Sequence, residues 1–371
     1  MIVLIIVSLI ALLFAFLEGE GKMKNGLKLG VFLVSTIAAI HYNFGSDYPV
    51  YFDDYKEFLG SNYSLRDVFL GNVELGDFGG RVFEVGWTLL MYIFRPFGIA
   101  GFFLLVALIS YFQGAVVYQL IKQYVPDKWR IFALFIYLFN TSLYVGSMSG
   151  LRQNTAMAVV GCALPLILNR KWLKSLLVVL IAFSIHKSAI VFAPFAFWGF
   201  INPKRKKLLS FAFLAVVVIL YIFKDSIKVV LDLFFAYENF EAYQHYAERE
   251  SEATFGIGFI LGLIPAVLSL MVMWKGKTDE TVYRIVSLAT INFVLLPIAN
   301  NVSMAERIAY YFQFISIVAL PYSYSTVKNK SIRIGLIGLF VLLYIYSYNH
   351  YFHLPERINS TYIYHSLLDL I

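Results

Sequence analysis

The sequence predicts an all-α, polytopic integral membrane protein, and three observations carry that reading. Of the 371 residues, 60% are hydrophobic and only 14% charged, and the mean hydropathy is +0.73. A soluble core does not hide that much apolar surface. The apolar residues fall into runs on the scale of a bilayer core, which takes about 20 residues per helix. Lysine and arginine collect in the short gaps between alternate runs, as they do in cytoplasmic loops.

Crossings are predicted near residues 1–17, 28–44, 99–120, 130–147, 152–168, 172–186, 188–202, 207–223, 256–275, 282–299, 307–325 and 331–349. That makes about twelve. The first run has no basic residue ahead of it and Glu18 and Glu20 behind it, unlike a cleavable signal peptide, so it reads as a retained helix. With this count the clusters at Lys22/Lys24/Lys28, Lys122/Lys128/Arg130, Arg170/Lys171/Lys174, Lys204–Lys207, Lys275/Lys277/Arg284 and Lys328/Lys330/Arg333 all face the cytoplasm. Both termini, the loops 45–98 and 224–255, and the gaps at Arg152, His186 and Arg307 then lie outside. The apolar run 82–95 is short and ends at Arg95-Pro96. A crossing there would turn the basic clusters outward, so it reads as a re-entrant or interfacial helix. The expectation is a single transmembrane domain over 1–371, with 45–98 and 224–255 as its extracytoplasmic part.

The net charge of +7 resides mostly in those loops, so it reports orientation and not nucleic-acid binding. No nucleotide-binding glycine loop and no metal-ligand cluster is present in the sequence, and no cofactor is expected. The lone Cys162 allows no internal disulfide.

Charged groups at the outer helix ends are the candidates for function, because a charge near a bilayer pairs, faces water or does chemistry. Arg152 and Gln153 follow Ser147-Met148-Ser149-Gly150 at a helix start, where free N–H groups and a guanidinium suit an anion. Arg307 repeats the arrangement ahead of Tyr310 and Tyr311, and the two arginines suit a shared diphosphate. His186 sits in a tight turn, with an imidazole able to exchange a proton near neutral pH. Asp47 and Glu84 each stand against an apolar run, where a carboxylate is costly unless partnered. The aromatic rings of the first outer loop, Tyr51 and Tyr55 among them, suit sugar faces, and Tyr243, His245 and Arg249 offer contacts for sugar or phosphate in the second. The alternative for each of these residues is plain: a solvated loop, a snorkelling arginine or a hydrogen-bonded structural histidine.

Gly45-Ser46-Asp47 with Tyr51 and Tyr55, Phe83-Glu84-Val85-Gly86-Trp87, Gly150-Leu151-Arg152-Gln153, His186-Lys187-Ser188-Ala189 and Arg307-Ile308-Ala309-Tyr310-Tyr311 occur in order along residues 41–312. In this the chain resembles the EpsG-type, Wzy-like polysaccharide polymerases. The resemblance implies a GT-C-like bundle in the bacterial plasma membrane. It also implies transfer of a growing glycan from undecaprenyl diphosphate to a sugar hydroxyl of the next undecaprenyl diphosphate-linked repeat unit, at the outer face. On that reading Arg152 and Arg307, with Arg81 and Gln153 assisting, hold the diphosphate without a metal. His186, Asp47 and Glu84 are the candidates for the base, and Tyr51, Tyr55, Tyr243, His245, Arg249 and Tyr310 for sugar contacts. A chain-length regulator and a flippase are the implied partners. An O-antigen ligase-type transferase and a transporter of lipid-linked sugars remain as alternatives, although the chain shows no matching halves of the kind many transporters have.

Overall fold

The computed structural model describes residues 1–76, 81–202, 204, 206–222, 257–275, 279–299 and 303–370. They form α1 (Ile2–Gly19), α2 (Gly26–Ala39), α3 (Asp47–Gly60), α4 (Leu65–Leu70), α5 (Val85–Phe94), α6 (Ala100–Tyr124), α7 (Arg130–Phe139), α8 (Tyr144–Ser149), α9 (Leu151–Leu168) and α10 (Trp172–Ile185). A 3₁₀ helix (Lys187–Phe200) follows, then α11 (Lys206–Ile222), α12 (Ile257–Lys275), α13 (Glu280–Ala299), α14 (Ser303–Ser325), α15 (Lys330–His353) and α16 (Pro355–Thr361). Two short antiparallel pairs join β1 (His41–Tyr42) to β4 (His365–Ser366) and β2 (Glu74–Leu75) to β3 (Arg81–Val82).

This is an all-α membrane protein. Among the described residues four helices are long and apolar enough to cross a bilayer: Ile2–Gly19, Ala100–Tyr124, Leu151–Leu168 and Lys330–His353. Helix α1 is marked as lipid-facing by its exposure pattern as well as by its length. Its small and aliphatic face, Leu4, Val7, Ser8, Ala11 and Ala15, is buried, while Ile2, Ile6, Leu9, Leu13 and Phe16 stay exposed on the other side. An apolar helix that leaves half its side chains exposed needs lipid as its solvent. The buried face meets α2 closely, because a Cβ on Gly30 would lie 2.7 Å from the Ala11 carbonyl oxygen. Such small-residue contacts are how helices approach in lipid, where no hydrophobic effect drives them together.

Each predicted crossing range contains helix, but several are built differently from the expectation. The run 130–147 breaks at Asn140, whose Oδ1 accepts the Ser142 N–H at 3.1 Å; a local side-chain bond of this kind competes with the helix ladder. The run 188–202 is a 3₁₀ helix of 14 residues and not an α-helix. At a rise of about 2.0 Å per residue it reaches about 28 Å, a length that an α-helix of the same count would not attain. The run 82–95 starts as strand, and its α-helix is confined to the 10 residues Val85–Phe94. Ten residues rise about 15 Å, roughly half a bilayer core.

The described chain divides into two compact units. The first comprises Met1–Leu166, Lys171–Ala196 and Ile345–Ile371. In it α1 packs on α2 and α7, α2 on α6, and α5 on α4, α6 and α10. At one end Glu18 accepts the Leu27 N–H at 2.7 Å, and pairs with Lys122 at 3.1 Å and Arg130 at 3.6 Å, tying the turn after α1 to the ends of α6 and α7. At the other end β4 pairs with β1, the Tyr364 hydroxyl donates to the Ile37 carbonyl at 2.7 Å, and the Met1 ammonium donates to the Tyr362 carbonyl at 2.5 Å. The second unit comprises Ile167–Arg170 and Phe197–Tyr344, with α13 packed against α11, α12 and α14. Its interior is laced by polar pairs, including Trp198 Nε1 to Ser287 Oγ at 3.0 Å and Ser269 to Ser323 at 3.0 Å. Glu280 there pairs with both Arg170 and Arg284.

Candidate active site

In the first unit four chain segments converge: the loop 41–47 leading into α3, the N-terminus of α5, the α8–α9 junction and the turn after α10. Glycines make the approach possible. Gly45 has φ +81°, a left-handed conformation natural to glycine, and a Cβ there would collide with the Ser149 side chain. The Asp47 N–H then donates to Ser149 Oγ at 3.4 Å. Gly86 lies so near α10 that a Cβ would be 2.7 Å from the Ser184 carbonyl oxygen, which seats the start of α5 beside the turn carrying His186. His41 adds a buried strut, with Nε2 2.8 Å from the Met148 carbonyl and Nδ1 against the Ala38 carbonyl.

Glu84 and Arg152 form the centre of this arrangement. Glu84 is the residue ahead of α5, in extended conformation; its Oε2 accepts from Arg152 Nη1 at 2.7 Å and its Oε1 from the Lys187 backbone N–H at 3.1 Å. One carboxylate therefore orients the guanidinium and closes the turn after His186. The Arg152 guanidinium lies on two aromatic faces, 4.7 Å from the Phe83 ring centroid and 5.6 Å from that of Tyr51, and Tyr51 in turn leans on buried Trp87 at 5.6 Å. Burial pushes the Tyr51 phenol above its ordinary range, opposed by Arg152 and reinforced by the Asp47 carboxylate. The two side chains of the ion pair remain 20% and 11% exposed, so the pair borders solvent while being shielded enough to matter.

His186 and Asp47 differ in accessibility and in hydrogen bonding. The imidazole of His186 is buried; its Nδ1 lies 2.7 Å from Ser188 Oγ and 3.3 Å from the Ser188 backbone nitrogen. A backbone N–H can only donate, so Nδ1 accepts and the neutral ring carries its proton on Nε2. That form is a hydrogen-bond donor, not a ready base. Asp47 is exposed in the first turn of α3, with Oδ1 accepting from Ser46 Oγ at 2.9 Å.

The structure thus brings together Asp47, Tyr51, Glu84, Arg152 and His186 from the residues the sequence singles out. Gln153 is half-buried on the next position of α9. Tyr55 lies in the core, fully buried against Phe102 with its hydroxyl donating to the Gly98 carbonyl at 3.4 Å, and is not part of the cluster. Tyr310 is half-buried on α14 in the second unit. Arg307 falls within α14, not ahead of it; its side chain and that of Arg81, on β3, lie outside the described residues. Tyr243, His245 and Arg249 lie outside them too, with the whole segment 223–256. Among the described residues no three His, Cys, Asp or Glu side chains group as a metal site.

Residues that sequence reasoning passed over also gather here. Arg357 of α16 stands 4.0 Å over the Tyr351 ring, and Tyr351 feels both the Arg357 and the Asp47 charge. The signal was present: an arginine just past the last predicted crossing breaks the pattern that puts basic residues on the other side.

A family model described as the EpsG family matches residues 28–366. The chain belongs to the EpsG family. EpsG is a Wzy-like polysaccharide polymerase family, so the convergent charges belong to a membrane-embedded, glycosyltransferase-like polymerase. No curated protein and no solved structure matches the chain. The match runs from α2 to the end of β4, so every residue of the EpsG cluster lies inside it, those of the C-terminal segment included.

Proposed function

We propose that this EpsG-family protein moves a growing glycan from undecaprenyl diphosphate to a sugar hydroxyl of an incoming undecaprenyl diphosphate-linked repeat unit, at the outer face of the bacterial plasma membrane. The observation that carries the proposal is the Arg152–Glu84 unit, a guanidinium oriented by a carboxylate and two rings beside an exposed carboxylate and a histidine donor. In the step proposed, the bond from the anomeric carbon to the diphosphate oxygen breaks and its electron pair leaves on that oxygen. The acceptor hydroxyl oxygen forms the new glycosidic bond, and its proton passes to the base.

Arg152 stabilises the negative charge that develops on the departing diphosphate, with Gln153 beside it and Arg307 and Arg81 as further candidates. Asp47 takes the proton, because it is the exposed carboxylate of the cluster, whereas Glu84 is engaged by Arg152 and Lys187. His186 serves as a donor through Nε2. Tyr51 offers the sugar a ring face, and Tyr243, His245, Arg249 and Tyr310 remain candidates for the rest of the glycan. The energy resides in the lipid diphosphate bond, so the reaction calls for no nucleotide and no metal.

The proposal includes the topology: about twelve crossings, α5 as a re-entrant or interfacial helix, a GT-C-like bundle and both termini outside. It is supported by the co-location of the Met1 ammonium, β1, β4 and the charge cluster in the first unit. With Cys162 replaced by serine, a membrane-impermeant thiol reagent is expected to label Asp47→Cys in intact spheroplasts and Lys204→Cys only after lysis. Labelling of position 204 from outside would overturn the orientation.

The decisive test is turnover. Purified protein in lipid, incubated with the host's undecaprenyl diphosphate-linked repeat unit without nucleotide or metal, is expected to yield a ladder of lipid-linked glycans. Transfer of a single glycan to a different acceptor lipid, with no ladder, would make it a ligase.

A further inference from the structure

Folding back of the C-terminal segment brings a second arginine to the segment that holds the Asp47 loop. After α15 the chain turns through α16 and returns: the Gly45 N–H donates to the Ser360 carbonyl at 2.8 Å, the Leu367 N–H to the Ile40 carbonyl at 2.8 Å, and β4 pairs with β1 through His41–Ser366 and Tyr42–His365. The loop that carries Asp47 is therefore held by the segment that carries Arg357. The Arg357 guanidinium sits 4.0 Å over the Tyr351 ring, as Arg152 lies over Phe83 and Tyr51. Tyr51 is in electrostatic reach of Arg152 and Asp47, and Tyr351 of Arg357 and Asp47, so the two ring–arginine pairs share one carboxylate.

The pairs differ in how much charge they leave over. Arg152 is neutralised by Glu84 at 2.7 Å. Among the described residues the half-buried Arg357 has no ion pair and no side-chain hydrogen bond; its contact is the Tyr351 face. A diphosphate carries at least two negative charges, more than a guanidinium already paired with a carboxylate can offset. A guanidinium held over a ring, with no side-chain hydrogen bond among the described residues, keeps its donors for phosphate oxygens and loses little entropy on binding them.

We propose that Arg357 is a second cationic contact for the diphosphate of the lipid-linked substrate, acting together with Arg152 across Asp47. This rests on the polymerase reading for the identity of the lipid and on the geometry for the anion. It makes the C-terminal segment part of the substrate site, held there through Gly45 and β1.

The test is direct binding of undecaprenyl diphosphate, without sugar, to the full-length protein in nanodiscs, with inorganic diphosphate and undecaprenyl monophosphate as competitors. The wild type is expected to bind, with inorganic diphosphate competing better than the monophosphate lipid. Arg357→Ala is expected to weaken binding at least tenfold and Arg357→Lys to restore only part of the loss, since an ammonium keeps the charge but neither stacks on the ring nor offers a planar fork of donors. Should Arg357→Ala lose abundance, Arg357→Gln keeps a polar side chain with two of the three methylenes and removes the charge, and carries the same expectation. Wild-type affinity in the folded Ala or Gln variant overturns the proposal, as does a wild type that binds no diphosphate or is displaced only by the lipid tail. The two readings fail separately. A glycan ladder from the wild type with binding indifferent to Arg357 leaves the polymerase standing without this contact, and Arg357-dependent binding without any ladder leaves the anion site and removes the polymerase.

Discussion

Arg152→Ala is expected to abolish polymer, lowering the rate by about 10²–10³-fold, the usual consequence of removing one charge stabiliser from a transition state. The protein should remain in the membrane at near-normal abundance. The guanidinium reaches its place through a 2.7 Å bond to Glu84 and through the Phe83 and Tyr51 faces, none of which holds a helix pair together in the way Gly30 or Gly86 does. Arg152→Lys should recover little, since an ammonium neither stacks on two rings nor offers a planar fork of donors. Glu84→Gln gives the matching control: it keeps an acceptor for the Lys187 N–H and loses the charge that orients Arg152, so activity should fall less than in Arg152→Ala. In the double variant the two losses should not add, because both act through one contact. Polymer length on gels and abundance by immunoblot read the outcome, and wild-type polymer from Arg152→Ala would remove the diphosphate role.

Asp47→Asn carries the second large effect, a fall in kcat of about 10²–10⁴-fold with KM little changed, as expected when a general base is lost and the binding groups stay. The amide retains an acceptor for Ser46 Oγ and leaves the backbone N–H bond to Ser149 intact, so the start of α3 should not move. His186→Ala provides the comparison. Its Nδ1 accepts from Ser188, and loss of an Nε2–H donor should cost less than loss of the base. Initial rates with the lipid-linked repeat unit, at varied substrate, decide between them. A kcat for Asp47→Asn within tenfold of wild type, with His186→Ala the more damaged, would exchange the two assignments.

These expectations depend differently on sequence and on fold. Arg152, His186, Glu84 and Asp47 stand out along the chain because each is a charged or titratable group at the edge of an apolar run. Hydropathy is a local quantity, and it reads such an edge without knowledge of partners. Nothing local says that Glu84 pairs with a guanidinium 68 positions further on, or that its second oxygen binds the backbone 103 positions further on. Both carboxylates therefore look alike in the sequence, as candidate bases, while in the fold one is engaged and the other open. Tyr55 shows the converse: its motif suggests a sugar contact, and its place in the helix turns it into the core.

The sequence by itself determined the class of the protein, an all-α membrane chain, the approximate extent of its helices and its likeness to the EpsG family. Apolar length and composition decide the first two, since a segment in lipid must satisfy its own backbone whatever surrounds it, and the likeness rests on short motifs occurring in order along residues 41–312. The tertiary structure decided the break at Asn140, the 3₁₀ form of Lys187–Phe200, the engagement of Glu84 by Arg152 and the Lys187 N–H while Asp47 stays exposed, and the return of the segment carrying Arg357 to the Asp47 loop. Those depend on which helix ends meet, and that is set by close contacts at residues such as Gly45 and Gly86 and by ion pairs between distant segments, such as those of Glu18 with Lys122 and Arg130.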